Sequence, residues 1–155
     1  MLLVVLAATF AACQNKKADA KAHADSVATD STQKVDPTLG AMQTRDFTAT
    51  LAGPTSAGVI NEIVVKKQEK ATQGTYEWLK TYPKGNNGSD MTTRQKGIVK
   101  DTADTKGKKI WVLHKGDSET VNYFEVHDGK IIQLDPSMKK TSESKNFVFK
   151  EKKAK

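Results

Sequence analysis

Few residues in this chain have side chains that could do chemistry. Of 155 residues one is a cysteine, Cys13, and three are histidines, His23, His114 and His127. A lone thiol makes no disulfide within the chain. His114 and His127, with no Cys or His-x-His spacing beside them, fall short of the ligand sets that hold zinc or copper. Met91 or Met138 would at most complete a weak site. Asp101, Asp104, Asp117 and Asp128 stand in turn-like stretches, where aspartate bonds to its own backbone, and form no paired acid–base set. No nucleophile elbow, phosphate-cradling glycine loop or HExxH pattern occurs. The expectation is a protein that is not an enzyme and needs no cofactor or metal.

Cys13 closes an apolar run, LLVVLAATFAAC from Leu2 onward. Eleven uncharged residues are too few to span a bilayer, which takes about 20 in a helix. They match the apolar region of an export signal, about 7–15 residues followed by small side chains. Phe10-Ala11-Ala12-Cys13 resembles the lipobox of bacterial lipoproteins, in which the cysteine receives a diacylglycerol and residues 1–12 are cleaved off. Phe10 stands where leucine is usual. No Lys or Arg precedes the run, so the start codon is expected upstream. A buried amino-terminal strand with a free core cysteine is the alternative. Two or three acyl chains at Cys13 would anchor the protein firmly, whereas one holds only marginally. Gln14, in place of aspartate, favours sorting to the outer membrane, on its periplasmic face or at the cell surface.

Residues 13–44 comprise the lipidated cysteine and a stretch of Ala, Lys, Asp, Ser, Thr and Gln with scattered Val27, Val35, Leu39 and Met42. Such composition cannot bury enough apolar surface to offset the entropy of ordering it. It reads as a flexible tether spanning roughly 30 Å, with His23 in solvent. The net charge of +7 is uneven, with seven lysines against two glutamates from Lys139 to Lys155. Without a nucleic-acid-binding fold or aromatic platform, this excess does not point to nucleic acid. Anionic headgroups or polyanionic glycans are the counterparts at an envelope address. Residues 151–155 read as a solvated basic tail.

From Arg45 the texture changes to short runs alternating with a period of two, broken by Gly, Asn, Asp and Pro. Phe47–Leu51, Val59–Lys67, Gly74–Tyr82, Thr92–Lys100, Lys108–Lys115, Glu119–His127, Lys130–Leu134 and Asn146–Lys150 are the expected strands. Pro83–Asp90 reads as a loop, and Asp128-Gly129 as a two-residue hairpin turn of type I′. The folded unit, 45–150, is therefore expected to be all-β, an up-and-down antiparallel barrel of about eight strands or else a sandwich. The barrel is preferred because closure removes exposed edges. Its interior would fill with side chains or hold one small ligand. Tyr76, Trp78, Trp111, Phe124 and Phe147 are the candidate lining, with Lys80 near a rim.

The same stretch resembles the amino-terminal domain of NlpE-type lipoproteins, associated with copper tolerance and envelope-stress sensing. The resemblance rests on Phe47-Thr48-Ala49-Thr50-Leu51, Gly58-Val59, Gly74-Thr75-Tyr76, Ile131-Ile132-Gln133-Leu134-Asp135 and Asn146-Phe147-Val148-Phe149-Lys150, in that order behind the lipobox. It implies a small lipocalin-like barrel. Many family members carry a CxxC pair between the first two strands, and this chain has Gly53 and Ser56 at those positions. Glycine offers no ligand and serine a poor one, so thiol-based copper binding does not carry over. The expected function is a non-catalytic sensing or interaction module, held to the outer membrane by lipid and docking to another envelope protein. The alternative is a carrier of a small apolar ligand inside the barrel.

Overall fold

A computed structural model describes residues 35–53, 57–86, 88–116, 118–143 and 146–153. Cys13, the export segment and residues 14–34 of the tether lie outside the described residues. The rest forms β1 (Met42–Leu51), β2 (Val59–Gln68), β3 (Gln73–Asn86), β4 (Ser89–Ala103), β5 (Lys109–Lys115), β6 (Val121–His127), β7 (Lys130–Gln133) and β8 (Val148–Glu151). Each strand pairs antiparallel with the next, and β8 returns to β1 through Phe47↔Glu151 and Thr48↔Lys150. The result is the closed up-and-down barrel of eight strands that the alternation implies. No α-helix occurs among the described residues.

Because successive side chains on a strand point to opposite faces, the odd positions of β1 and β2 and the even positions of β3 and β6 point inward. Phe47, Ile63, Val65, Tyr76, Trp78, Val99, Trp111, Leu113, Phe124, Ile131 and Phe149 make one buried cluster. The outward positions carry Glu62, Lys66, Glu77, Arg94 and Lys96. A membrane-spanning barrel shows the reverse, with apolar side chains outward and polar ones inside.

Several boundaries differ from the reading of the sequence. The barrel takes in residues assigned to the tether. Asp36 caps a single 3-10 turn at Pro37–Leu39, and β1 begins at Met42. The buried Gln68 amide holds this approach, donating to the Asp36 carbonyl at 2.6 Å and the Gly40 carbonyl at 2.9 Å. It also accepts from the Asp36 N–H at 2.9 Å. A polar stretch is ordered here by one side chain distant in sequence.

The loop expected at Pro83–Asp90 is largely strand, since β3 runs on to Asn86 and β4 starts at Ser89. Proline is tolerated there because β3 has outrun β2, whose pairing with it stops at Ile60↔Thr81. Asp128-Gly129 does form a two-residue turn between His127 and Lys130. Only Gly129 takes a positive φ, of 65°, so the turn is not type I′. Leaving Asp128 out of the left-handed region avoids a cost of about 1–2 kcal/mol. Finally, β8 extends to Glu151. Lys152 donates its N–H to the Asp46 carbonyl at 2.7 Å, and its ammonium sits 3.1 Å from Asp46 and 2.9 Å from Glu62. The carboxyl-terminal lysine run is thus tied to the barrel at its start.

Gly97 on β4 is a point of close approach. A Cβ there would run into the His114 carbonyl oxygen on β5 and would also meet the Tyr76 ring at 2.9 Å. The first obstacle is backbone and cannot swing aside. Gly97→Ala is therefore expected to destabilise the barrel by about 3 kcal/mol or more, at or beyond the usual overpacking range. Urea unfolding followed by tryptophan fluorescence measures it, and a change under 1 kcal/mol would contradict the close approach.

Candidate functional site

The barrel interior is the first place to look, since the candidate lining was assigned there. Tyr76, Trp78, Trp111 and Phe124 do point inward and are 1–4% exposed or less. They pack against one another and against Phe47 and Phe149. Phe47 meets Trp111 edge-on with ring centres 5.7 Å apart. Trp78 does the same with Phe124 at 5.8 Å and Phe149 at 6.1 Å, and those two phenylalanines meet at 5.6 Å. Such T-shaped contacts place positive ring edges on negative faces. A space able to admit even one water would leave its walls accessible. Phe47, Ile63, Val99, Leu113, Phe124, Ile131 and Phe149 are 0% exposed. The middle of the barrel is filled by its own side chains.

Phe147 is not part of this lining. It precedes β8, is half-buried, and lines a small surface pocket with Leu134, Asp135 and Thr141. Its place inside is taken by Phe149, two residues on. Both share a face by alternation, and only the point where β8 joins the barrel decides between them. Phe47 is the other aromatic the lining lacked.

Polar groups finish the interior at both ends. Towards one end, the fully buried Asn61 accepts from the Trp78 indole at 3.0 Å and donates to the Val59 carbonyl at 3.0 Å. Beyond it, the Lys80 ammonium lies 4.4 Å from the centre of the Trp78 ring. Burial, and secondarily the charge of Lys115, lowers the pKa of Lys80. The Tyr76 hydroxyl accepts from the Gln95 amide at 2.6 Å.

The opposite end is closed by ion pairs. The Arg45 guanidinium covers the faces of Phe47 and Trp111 at 4.9 and 5.5 Å. It also donates through Nε and Nη2 to the two Glu151 oxygens, each at 2.7 Å. Nearby, Asp101 takes the Lys67 ammonium at 2.5 Å and that of Lys109 at 2.9 Å. Gln43, Thr44, His127 and Asp128 join Arg45 and Glu151 around a shallow open groove at this rim.

A second charged cluster lies outside the barrel. Glu125 points outward yet has only 6% of its side chain exposed. Lys140 from the β7–β8 connection is 3.0 Å away, Lys108 3.4 Å, and His127 Nε2 2.8 Å, though without the alignment of a hydrogen bond. Burial alone would raise the Glu125 pKa. The Lys140 hydrogen bond and the charges of Lys140, Lys108 and His127 outweigh it and hold the pKa below the usual carboxylate range. His127 is thus half-buried against a carboxylate, and nothing in the local sequence marks Glu125 as its neighbour.

His114 lies on β5 opposite Ile98 and Val121, away from His127 and its carboxylate neighbour. Among the described residues no three His, Cys, Asp or Glu side chains come together as a metal site. At the rim Glu151 is held by Arg45 and Asp101 by Lys67 and Lys109, and beside the Lys140 connection Glu125 is held by Lys140 and Lys108. This arrangement suits structural closure. Compared with known proteins, the chain matches no family model, no curated sequence and no solved structure.

Two expectations follow for stability. Phe149→Ala removes a ring at the centre of the aromatic cluster and should cost about 3–5 kcal/mol. Phe147→Ala should cost about 1 kcal/mol or less, being at the surface, and equal losses in denaturant melts would refute the placement. The Glu151 pKa is lowered chiefly by the Arg45 hydrogen bond, opposed by burial, and Glu125 is lowered as above. Groups with a depressed folded pKa stabilise fully above their unfolded value, about 4.3, and lose that contribution as pH falls through the folded value. The melting temperature should therefore be insensitive to these groups above about pH 5 and fall below about pH 4. Glu151→Gln should lower stability at pH 7 by about 1–2 kcal/mol and flatten the acid limb. An acid limb unchanged in this variant would rule out the pair as a contributor.

Proposed function

We propose that this protein is an NlpE-like lipoprotein of the outer membrane, attached through acyl chains on Cys13, that senses or relays envelope stress by docking to another envelope protein. It does this without catalysis. The observation that carries the reading is the occupied interior. With Phe47, Phe124 and Phe149 fully enclosed and one end closed by Arg45–Glu151 and Lys67–Asp101, the surface is what a partner meets. The lipobox-like Phe10-Ala11-Ala12-Cys13 and the polar stretch after it suit a barrel held off the bilayer on a tether.

A carrier of a small apolar ligand in the barrel is the second reading. It would require the ring cluster to open, and the edge-on packing of Trp78, Phe124 and Phe149 weighs against it.

Replacement of the anchor tests the first reading. In the native host, the wild-type protein should sediment with outer-membrane vesicles and carry acyl chains at Cys13 by mass spectrometry. Cys13→Ser should leave it unacylated, shift it out of that fraction, and abolish an envelope-stress reporter response that the wild type supports. An unmodified Cys13 in the mature protein, or a reporter indifferent to gene deletion, would overturn the proposal. A rise in melting temperature on adding fatty acids would favour the carrier instead.

A further inference from the structure

Closure of the barrel leaves some lengths of strand without a neighbour, among them the start of β4. β4 pairs with β3 from Lys100 back to Met91, but its pairing with β5 runs only from Ala103 to Gly97. On the β5 side, the stretch before Gly97 has no strand partner among the described residues. Every residue from Ser89 to Arg94 is exposed. The hairpin of β3 and β4 therefore rises past the rim with a bare edge.

The backbone direction along that edge can be worked out. Asp101 N–H donates to the Thr72 carbonyl on the β3 side at 2.7 Å, and Asp104 N–H to the Lys108 carbonyl on the β5 side at 2.9 Å. In an antiparallel ladder the N–H and C=O of one residue face the same neighbour, and successive residues alternate. The register with β3 is unbroken from Lys100 to Met91. Thr92, Arg94 and Lys96 thus direct their backbone donors and acceptors outward, away from β3. The other edge of the hairpin is disabled. There β3 has Pro83, which lacks an N–H, then Lys84 at φ 53° and a register shift before Asn86.

We infer that the β4 edge at Thr92, Arg94 and Lys96 is a docking site for an extended acidic segment of a partner protein, which adds as a strand where β5 would have continued. Backbone hydrogen bonds supply the attachment in this mode of recognition and side chains the selectivity. Charge selects the occupant. Lys80, Lys96 and Lys115 surround the edge and make no ion pair with an acid among the described residues, while Arg94 is held by Glu77 at 2.8 Å. A second copy of this chain is a poor occupant. It would set Arg94 and Lys96 beside the same cations, between molecules of net charge +7. The inference rests on the interaction-module reading and names the surface that would serve it.

The test uses the full chain in detergent and a dye-labelled nine-residue peptide alternating Glu with Val and Thr. Anisotropy should report saturable binding that weakens as salt rises, and the same peptide with Lys for Glu should not bind. Hydrogen exchange should slow at the Thr92, Arg94 and Lys96 amides when peptide is added. Thr92→Pro removes one outward donor, leaves the β3 ladder intact, and should weaken binding tenfold or more. Thr92→Val, which keeps the donor, should bind as wild type. Equal melting curves for the two variants confirm that both fold. No saturable binding, equal binding by Thr92→Pro, or slowed exchange elsewhere would overturn the inference. So would protection of these amides that grows with protein concentration alone, which is pairing between copies. If the peptide fails while Cys13→Ser still silences the stress reporter, only the site is wrong. A reporter indifferent to the protein would instead remove the reading beneath it.

Discussion

Eight strands joined edge to edge enclose a fixed volume, and everything else in this molecule answers to that limit. Strand number and tilt set the radius, so the inward side chains must sum to what the radius allows. Trp78, Phe124 and Phe149 meet edge to face and Trp111 meets Phe47 in the same way. Rings of this size fit only because other inward positions are small. Gly97 lies against the Tyr76 ring and the β5 backbone, and Ala49 fills a partly buried inward place. Packing at this density leaves little freedom to substitute one ring for another.

The same closure explains the charges at the ends. A barrel interior is apolar in the middle and meets water at its mouths, where long amphipathic side chains can cover rings while keeping their heads solvated. Arg45 does this over Phe47 and Trp111 and is then fixed by both oxygens of Glu151. Lys80 does it over Trp78 at the other mouth, with no carboxylate to hold it among the described residues. One end is therefore sealed by paired charges, and the other is rimmed by cations beside the projecting hairpin. That asymmetry makes the two ends of the barrel chemically distinct.

β3 and β4 are 14 and 15 residues long, while β7 and β8 have four each. Strands of such unequal length cannot all find partners, and the excess must appear as a free edge. Natural sheets usually blunt such edges. Here Pro83 and Lys84 blunt one side of the hairpin, and the β4 side keeps its donors and acceptors. Charge at Arg94 and Lys96 discourages pairing between copies without blocking an acidic strand.

Alternation of apolar and polar residues, with Gly and Asp between runs, determined the class, the strand count and the inward face. Period two alone put Asn61 beside Ile63 and Val65, and Trp78 beside Tyr76. The export-like run and its cysteine are likewise a matter of local composition. Contacts distant in sequence decided the rest. Gln68 draws residues 36–40 onto the barrel, Lys152 ties the tail to Asp46 and Glu62, and Glu125 gathers His127, Lys108 and Lys140. Whether Phe147 or Phe149 lies inside depended on where β8 joins β1, and the bare length of β4 on where β5 ends. A strand's own residues fix which way each side chain points, but only its neighbours fix where pairing starts and stops.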